Sequence, residues 1–123
     1  MQTFKELNLQ PEILAALDDI GFETPTPIQA QSIPHILKSD QDLIAFAQTG
    51  TGKTAAFSLP ILERIDVDAK NVQAIVLCPT RELCLQIAND LNQFSKKMKK
   101  FRHTAVYGGA SIQDQIRDIR RGS

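Results

Sequence analysis

Apolar residues follow two rhythms along this chain, and the order of those rhythms predicts its architecture. Residues 42–47, 74–78 and 104–107 are short apolar runs without polar alternation, the pattern of strands buried on both faces of a parallel sheet. Helical signals fill the intervals. Pro11 to Ile20 predicts a short helix, with proline at its first position and Gly21 just past its end. A second helix begins at Pro27, where Thr26 is a good N-cap and Gln29 completes a capping box. It runs through Ile33, Pro34 and Leu37 and stops at the polar segment 38–41, with Pro34 expected to bend it. Lys53 to Ile65 predicts a third helix, kinked at Pro60. Leu83, Ile87, Leu91, Phe94 and Met98 recur every three or four residues and mark one face of a long helix. Gly108 and Gly109 turn the chain, and Ile112, Ile116 and Ile119 define a last helix capped by Ser111.

Strand and helix alternate three times at short spacing, which calls for right-handed crossovers and an α/β fold, a parallel sheet flanked by helices. After Ile119 the alternation predicts a further strand, and three strands make a poor free-standing sheet of this kind. Residues 1–123 are therefore expected to be one portion of a larger domain. Composition adds two constraints. Lys and Arg number 14 and Asp and Glu number 14, so no bulk positive charge draws the chain to nucleic acid, and such a contact has to come from locally placed groups. The two cysteines, Cys78 and Cys84, are too few for a disulfide framework and read as reduced thiols of a cytoplasmic protein. No apolar segment approaches ~18 residues and no basic stretch precedes one at the N-terminus, so neither secretion nor membrane insertion is expected.

The sharpest chemical signal is the segment 47–54, Ala-Gln-Thr-Gly-Thr-Gly-Lys-Thr, which joins an apolar run to a helix. Glycines let successive backbone N–H groups face one concavity, and the helix N-terminus adds its positive end, so the segment suits phosphate oxygens. Lys53 is placed to reach β- and γ-phosphates, and the Thr54 hydroxyl to ligate Mg²⁺. A strict phosphate-loop pattern has glycine where Ala47 stands, and the alternative is a glycine-rich turn with an incidental lysine. A lysine in the first turn opposes the helix dipole, which a bound anion explains better than helix stability does.

At this point the chain resembles the DEAD-box family of ATP-dependent RNA helicases. Ala-x-Thr-Gly-x-Gly-Lys-Thr is similar to that family's phosphate loop, and Gly21-Phe22-Glu23-Thr24-Pro25-Thr26-Pro27-Ile28-Gln29 to its Q motif, with Phe4 as the isolated upstream aromatic. Pro79-Thr80-Arg81-Glu82-Leu83 resembles motif Ia, and Gly108-Gly109 the glycine doublet, all in family order. The resemblance implies a RecA-like P-loop fold. It assigns Gln48, Thr49, Gly50, Thr51, Gly52, Lys53 and Thr54 to ATP and its Mg²⁺, with Lys53 and Thr54 in catalytic roles. It implies that Phe22 stacks on adenine and Gln29 reads its edge, whereas the spacing by itself favours Gln29 as a capping residue.

Pro79, Thr80, Arg81, Gly108 and Gly109 would hold the RNA sugar-phosphate path without reading bases, the alternative being an Arg81–Glu82 structural pair and a plain turn. The basic run from Lys96 through Lys97, Lys99 and Lys100 to Arg102 reads as a solvated helix end rather than an RNA patch. His35, His103 and the cysteines lack metal-ligand spacing. The implied whole protein closes a second RecA-like domain, in cis, over ATP and RNA. The metal-binding carboxylates and an arginine finger are expected beyond this portion, which should bind adenine nucleotide weakly and not hydrolyse it. Rival readings are another P-loop enzyme, such as a nucleotide kinase or a DNA helicase, and a truncated nucleotide- or RNA-binding module.

Overall fold

The computed structural model describes residues 2–123. A 3₁₀ turn at Phe4–Leu7 leads into α1 (Pro11–Asp19), α2 (Pro27–Lys38), α3 (Lys53–Arg64), α4 (Arg81–Phe94) and α5 (Ile112–Arg120). Each helix starts close to where its local chemistry predicts. Pro11 and Pro27 occupy first-turn positions, where a missing N–H removes no helical bond. The Thr80 hydroxyl accepts from the Leu83 N–H at 3.2 Å, and the Ser111 hydroxyl accepts from the Asp114 N–H at 3.3 Å. Gly21 follows α1 with φ +77°, a left-handed value that costs a glycine little. α2 and α3 are unbroken across Pro34 and Pro60.

The long fourth helix ends earlier than its periodicity predicts. It stops at Phe94, where the Ser95 hydroxyl bonds back to the Leu91 carbonyl at 2.6 Å. Met98 still packs against the core, because a tight turn from Ser95 carries it there.

The core is helical. Ile13 and Leu17 of α1, Ile33 of α2, Ala55, Leu59 and Leu62 of α3, and Phe94 of α4 form one buried cluster with Phe4, Leu7 and Leu9. These positions fall three or four residues apart on each helix, which gathers each apolar stripe against its neighbours. α2 and α3 make the most extensive helix pairing, with small residues of α3 (Ala55, Ala56, Ser58) on its buried face. Burying a Leu, Ile or Phe side chain is worth about 1.5–3 kcal/mol.

The parallel sheet expected at 42–47, 74–78 and 104–107 is not formed. Among the described residues there is no strand, and no backbone hydrogen bond joins one of these runs to another. A strand is stable only when a neighbour takes up its N–H and C=O groups. The side chains are correspondingly bare: Ile44 is 82% and Phe46 91% exposed, and Ile75 and Leu77 are also exposed. α5 buries none of its residues, and Ile112, Ile116 and Ile119 face solvent. Among the described residues no helix is long and apolar enough to cross a membrane.

Candidate nucleotide and nucleic-acid sites

The loop at 47–54 has the backbone that its glycines permit. Gly50 (φ +79°) and Gly52 (φ +82°) are both left-handed, and Gly52 is the N-cap of α3, so the loop ends at a helix N-terminus. The loop is held across its mouth. The Lys53 ammonium donates to the Ala47 carbonyl at 2.9 Å, and the Thr51 hydroxyl donates to the Gln48 carbonyl at 2.6 Å. A phosphate entering at this loop exchanges the neutral Ala47 carbonyl for a charged oxygen as the lysine's partner, and charge-assisted bonds are the stronger kind. Gln48, Thr49 and Gly50 are exposed, while Thr51, Gly52 and Thr54 are partly covered.

Gln29 lies under this loop and is 2% exposed. Its Oε1 accepts from the Thr26 N–H at 2.9 Å, and its Nε2 donates to the Gly52 carbonyl at 3.1 Å. One amide therefore caps α2 and ties that helix to the end of the 47–54 loop. The other half of the capping box is loose, since the buried Thr26 hydroxyl oxygen finds no partner. Packing around Gln29 is tight enough to dictate the residue at 52. A Cβ on Gly52 would sit 2.3 Å from Gln29 Nε2 and 3.4 Å from Thr26 Oγ1. Capping and base recognition need not compete, because an amide has two hydrogens and two lone pairs, and Gln29 uses one of each.

Phe22 sits between two rings, stacked on Phe4 at 6.2 Å and tilted against Phe94 at 6.1 Å. It still leaves 37% of its surface exposed, so the residue serves the core edge and remains accessible.

A second cluster forms where α4 begins. Thr80 caps the helix, and the Arg81 guanidinium carbon lies 5.0 Å from the centroid of the Tyr107 ring, within cation–π range. Among the described residues Arg81 and Glu82 form no ion pair, so the structural-pair alternative for Arg81 is not realised. Gly109 has φ +87°, and a Cβ there would stand 3.4 Å from Arg81 Nη1, whereas Gly108 opens onto free space. Arg81 and Gly109 thus meet, while Pro79 is exposed. Tyr107 and Gln115 also belong to this cluster, although no sequence motif contains them. The available hint was that the chain's single tyrosine stands directly before the doublet.

The basic run beyond α4 is engaged in local contacts. Lys97 pairs with Asp19 at 3.1 Å, Lys100 pairs with Asp68 at 2.8 Å, and Arg102 donates to the Arg121 carbonyl at 2.9 Å. The hydrogen bond to Asp68 holds the Lys100 ammonium above its ordinary pKa. Desolvation, then the neighbouring Cys84 thiol, push the Cys78 thiol upward, away from a reactive thiolate. Desolvation lowers His103, whose Nε2 lies 2.7 Å from Asn92 Oδ1.

Comparison with known proteins covers both clusters. A family model described as DEAD/DEAH box helicase matches residues 26–123. The "ATP-dependent RNA helicase DeaD" of Escherichia coli (strain K12) is 49% identical over 120 residues, which is 98% of this chain and 19% of that protein. The chain thus spans about one-fifth of the length of such a relative. Among solved structures, a DEAD box protein from the hyperthermophile Methanococcus jannaschii superposes with a TM-score of 0.90 at 39% identity, covering 99% of this chain and 33% of that one. Saccharomyces cerevisiae Dbp5 bound to RNA and ADP BeF3 gives a TM-score of 0.77 at 39% identity, covering 80% of this chain and 26% of that one.

Proposed function

Because the chain belongs to the DEAD/DEAH box helicase family, we propose that it is the nucleotide-binding portion of an ATP-dependent RNA helicase, spanning Q motif 4–29, phosphate loop 47–54, motif Ia 79–83 and glycine doublet 108–109. The observation that carries this reading is a loop held at two points, by Gln29 at the Gly52 carbonyl and by Lys53 at the Ala47 carbonyl. Gln29 fixes the last loop glycine from below, and the next residue presents an ammonium across the loop. Positive-φ glycines, a helix N-terminus and an exchangeable lysine partner together fit a polyphosphate. Gln48 to Gly52 supply backbone N–H groups, Lys53 takes the β/γ-phosphate charge, and the Thr54 hydroxyl is the group that would hold Mg²⁺. When bound, that ion neutralises phosphate charge during transfer. Phe22 offers its exposed surface to the adenine ring, and Gln29 offers its unused hydrogen and lone pair to the base edge.

RNA binds through Pro79, Thr80, Arg81, Gly108 and Gly109, by backbone contacts with little sequence preference. In a longer protein of this family the three bare apolar runs pair into the parallel sheet of a RecA-like domain. A second such domain in cis then closes over ATP and RNA and separates short duplexes. The RNA and ADP BeF3 bound to Dbp5 support this reading by kinship.

The 123-residue chain contains no Asp-Glu-x-Asp segment to hold the metal and orient water. It should release no phosphate from ATP, with or without RNA, while the intact protein should do so in an RNA-stimulated manner. An arginine finger by itself is worth ~10³–10⁵ in rate where it is used. RNA-stimulated turnover by the purified chain, lost on Lys53→Ala, would show catalytic groups within these residues and contradict the assignment. Gln29→Ala should narrow the preference for ADP over GDP, since it removes the amide hydrogen and lone pair proposed to match the adenine edge. Loss of thermal stability with the adenine preference intact would leave Gln29 a capping residue only.

A further inference from the structure

Arg81 is an exposed side chain on a flexible stem, and such a side chain loses considerable rotamer freedom when a ligand fixes it. Two neighbours already flank it. The guanidinium carbon lies 5.0 Å from the centroid of the Tyr107 ring, and Nη1 lies 3.4 Å from where a Cβ on Gly109 would stand. Tyr107 is in turn fixed by its backbone. Its N–H donates to Gln115 Oε1 at 3.0 Å and its carbonyl accepts from Gln115 Nε2 at 3.1 Å, so one amide takes both groups as a neighbouring strand would. Gln115 Nε2 also reaches the Ala110 carbonyl at 3.4 Å and so spans the glycine doublet. The Cys84 thiol of α4 donates to the Val106 carbonyl at 3.8 Å, tying the same segment to the helix that carries Arg81. Gln115 thus occupies the backbone groups that an unpaired run would leave to water.

We infer that Tyr107, locked by Gln115, is a positioning residue for nucleic-acid binding: it holds the Arg81 guanidinium beside Gly109 in readiness for an RNA phosphate. This rests on the proposed place of Arg81 in the RNA path. The ring itself takes no phosphate, and its effect is exerted entirely through Arg81. A preset guanidinium loses less freedom on binding and presents Nη1 beside the bare backbone of Gly109.

The test is a set of titrations of single-stranded oligouridylate and of a mixed-sequence RNA of equal length. It uses the intact protein carrying this domain, in the presence of a non-hydrolysable ATP analogue. Arg81→Ala should weaken both RNAs equally and reduce the salt slope of log K by ~0.7. Tyr107→Leu should weaken both about three- to fivefold, the usual scale of an exposed cation–π contact. Tyr107→Phe keeps the ring face and should retain the affinity. In an Arg81→Ala background, Tyr107→Leu should change nothing further, because the residue it positions is gone. A Tyr107→Leu loss that persists undiminished in that background shows a general structural role, and no loss at all shows no role; either overturns the inference. If Arg81→Ala itself leaves affinity and salt slope unchanged, the RNA-path reading fails before the positioning claim is reached.

Discussion

Gly52→Ala is expected to destabilise the domain by about 2–4 kcal/mol and to weaken ADP binding roughly tenfold or more, whereas Gly50→Ala should cost only about 1–2 kcal/mol of stability. Both residues have nearly the same left-handed φ, +82° and +79°, so an alanine at either position meets the same backbone strain. What differs is space. Nothing lies within 4 Å of a Cβ at 50, but at 52 the new atom would overlap Gln29 Nε2 at 2.3 Å. Gln29 is buried and committed at both ends of its amide, so it can move only by abandoning the Gly52 carbonyl or the Thr26 N–H. The loop would then lose the tie that fixes it to α2. Thermal unfolding of the two variants side by side checks this, and equal losses would show that Gln29 yields freely.

Leu59→Ala in the 123-residue chain should cost about 2–5 kcal/mol, while Ile44→Ala should stay within about 0.5 kcal/mol. Leu59 lies on the buried face of α3 at the centre of the helical cluster, with no exposed surface. Ile44 belongs to a run whose apolar side chains reach solvent, so truncating it removes little buried contact. Denaturant titrations of the two variants compare the helical core with the bare runs directly. If Ile44→Ala costs as much as Leu59→Ala, the run is buried in a sheet within this chain, and the core is not helical alone.

That contrast also marks what the amino-acid sequence could reveal. Helices are local: Thr80 and Ser111 cap the turns that follow them, Pro11 and Gly21 bracket α1, and the spacing of Ile87, Leu91 and Phe94 already draws a face turned to the core. Strands are not local. The runs at 42–47, 74–78 and 104–107 have the composition of buried strands, yet a strand exists only with a partner, and no run supplies one to another. The candidate sites divide in the same way. The 47–54 loop is contiguous, so its residues and its glycines were legible. Gln29 was legible as a capping residue, but its second bond, to the Gly52 carbonyl, joins segments that only the fold brings together. The same holds for Arg81 over Tyr107 and for Gln115 on the Tyr107 backbone, contacts between α4, an irregular segment and α5 that no spacing rule encodes.

Whether the loop at 47–54 holds a nucleotide through Lys53 is the question on which the functional assignment turns. Calorimetric titration of ADP into the 123-residue chain, alongside Lys53→Ala of matched thermal stability, measures this. Weak, saturable one-site binding by the wild type, reduced roughly tenfold or more in the variant, is the predicted result, in keeping with loss of a charge-assisted contact worth ~1.5–3 kcal/mol. Identical heats for the two proteins, or no saturable binding by a folded wild-type chain, would contradict it.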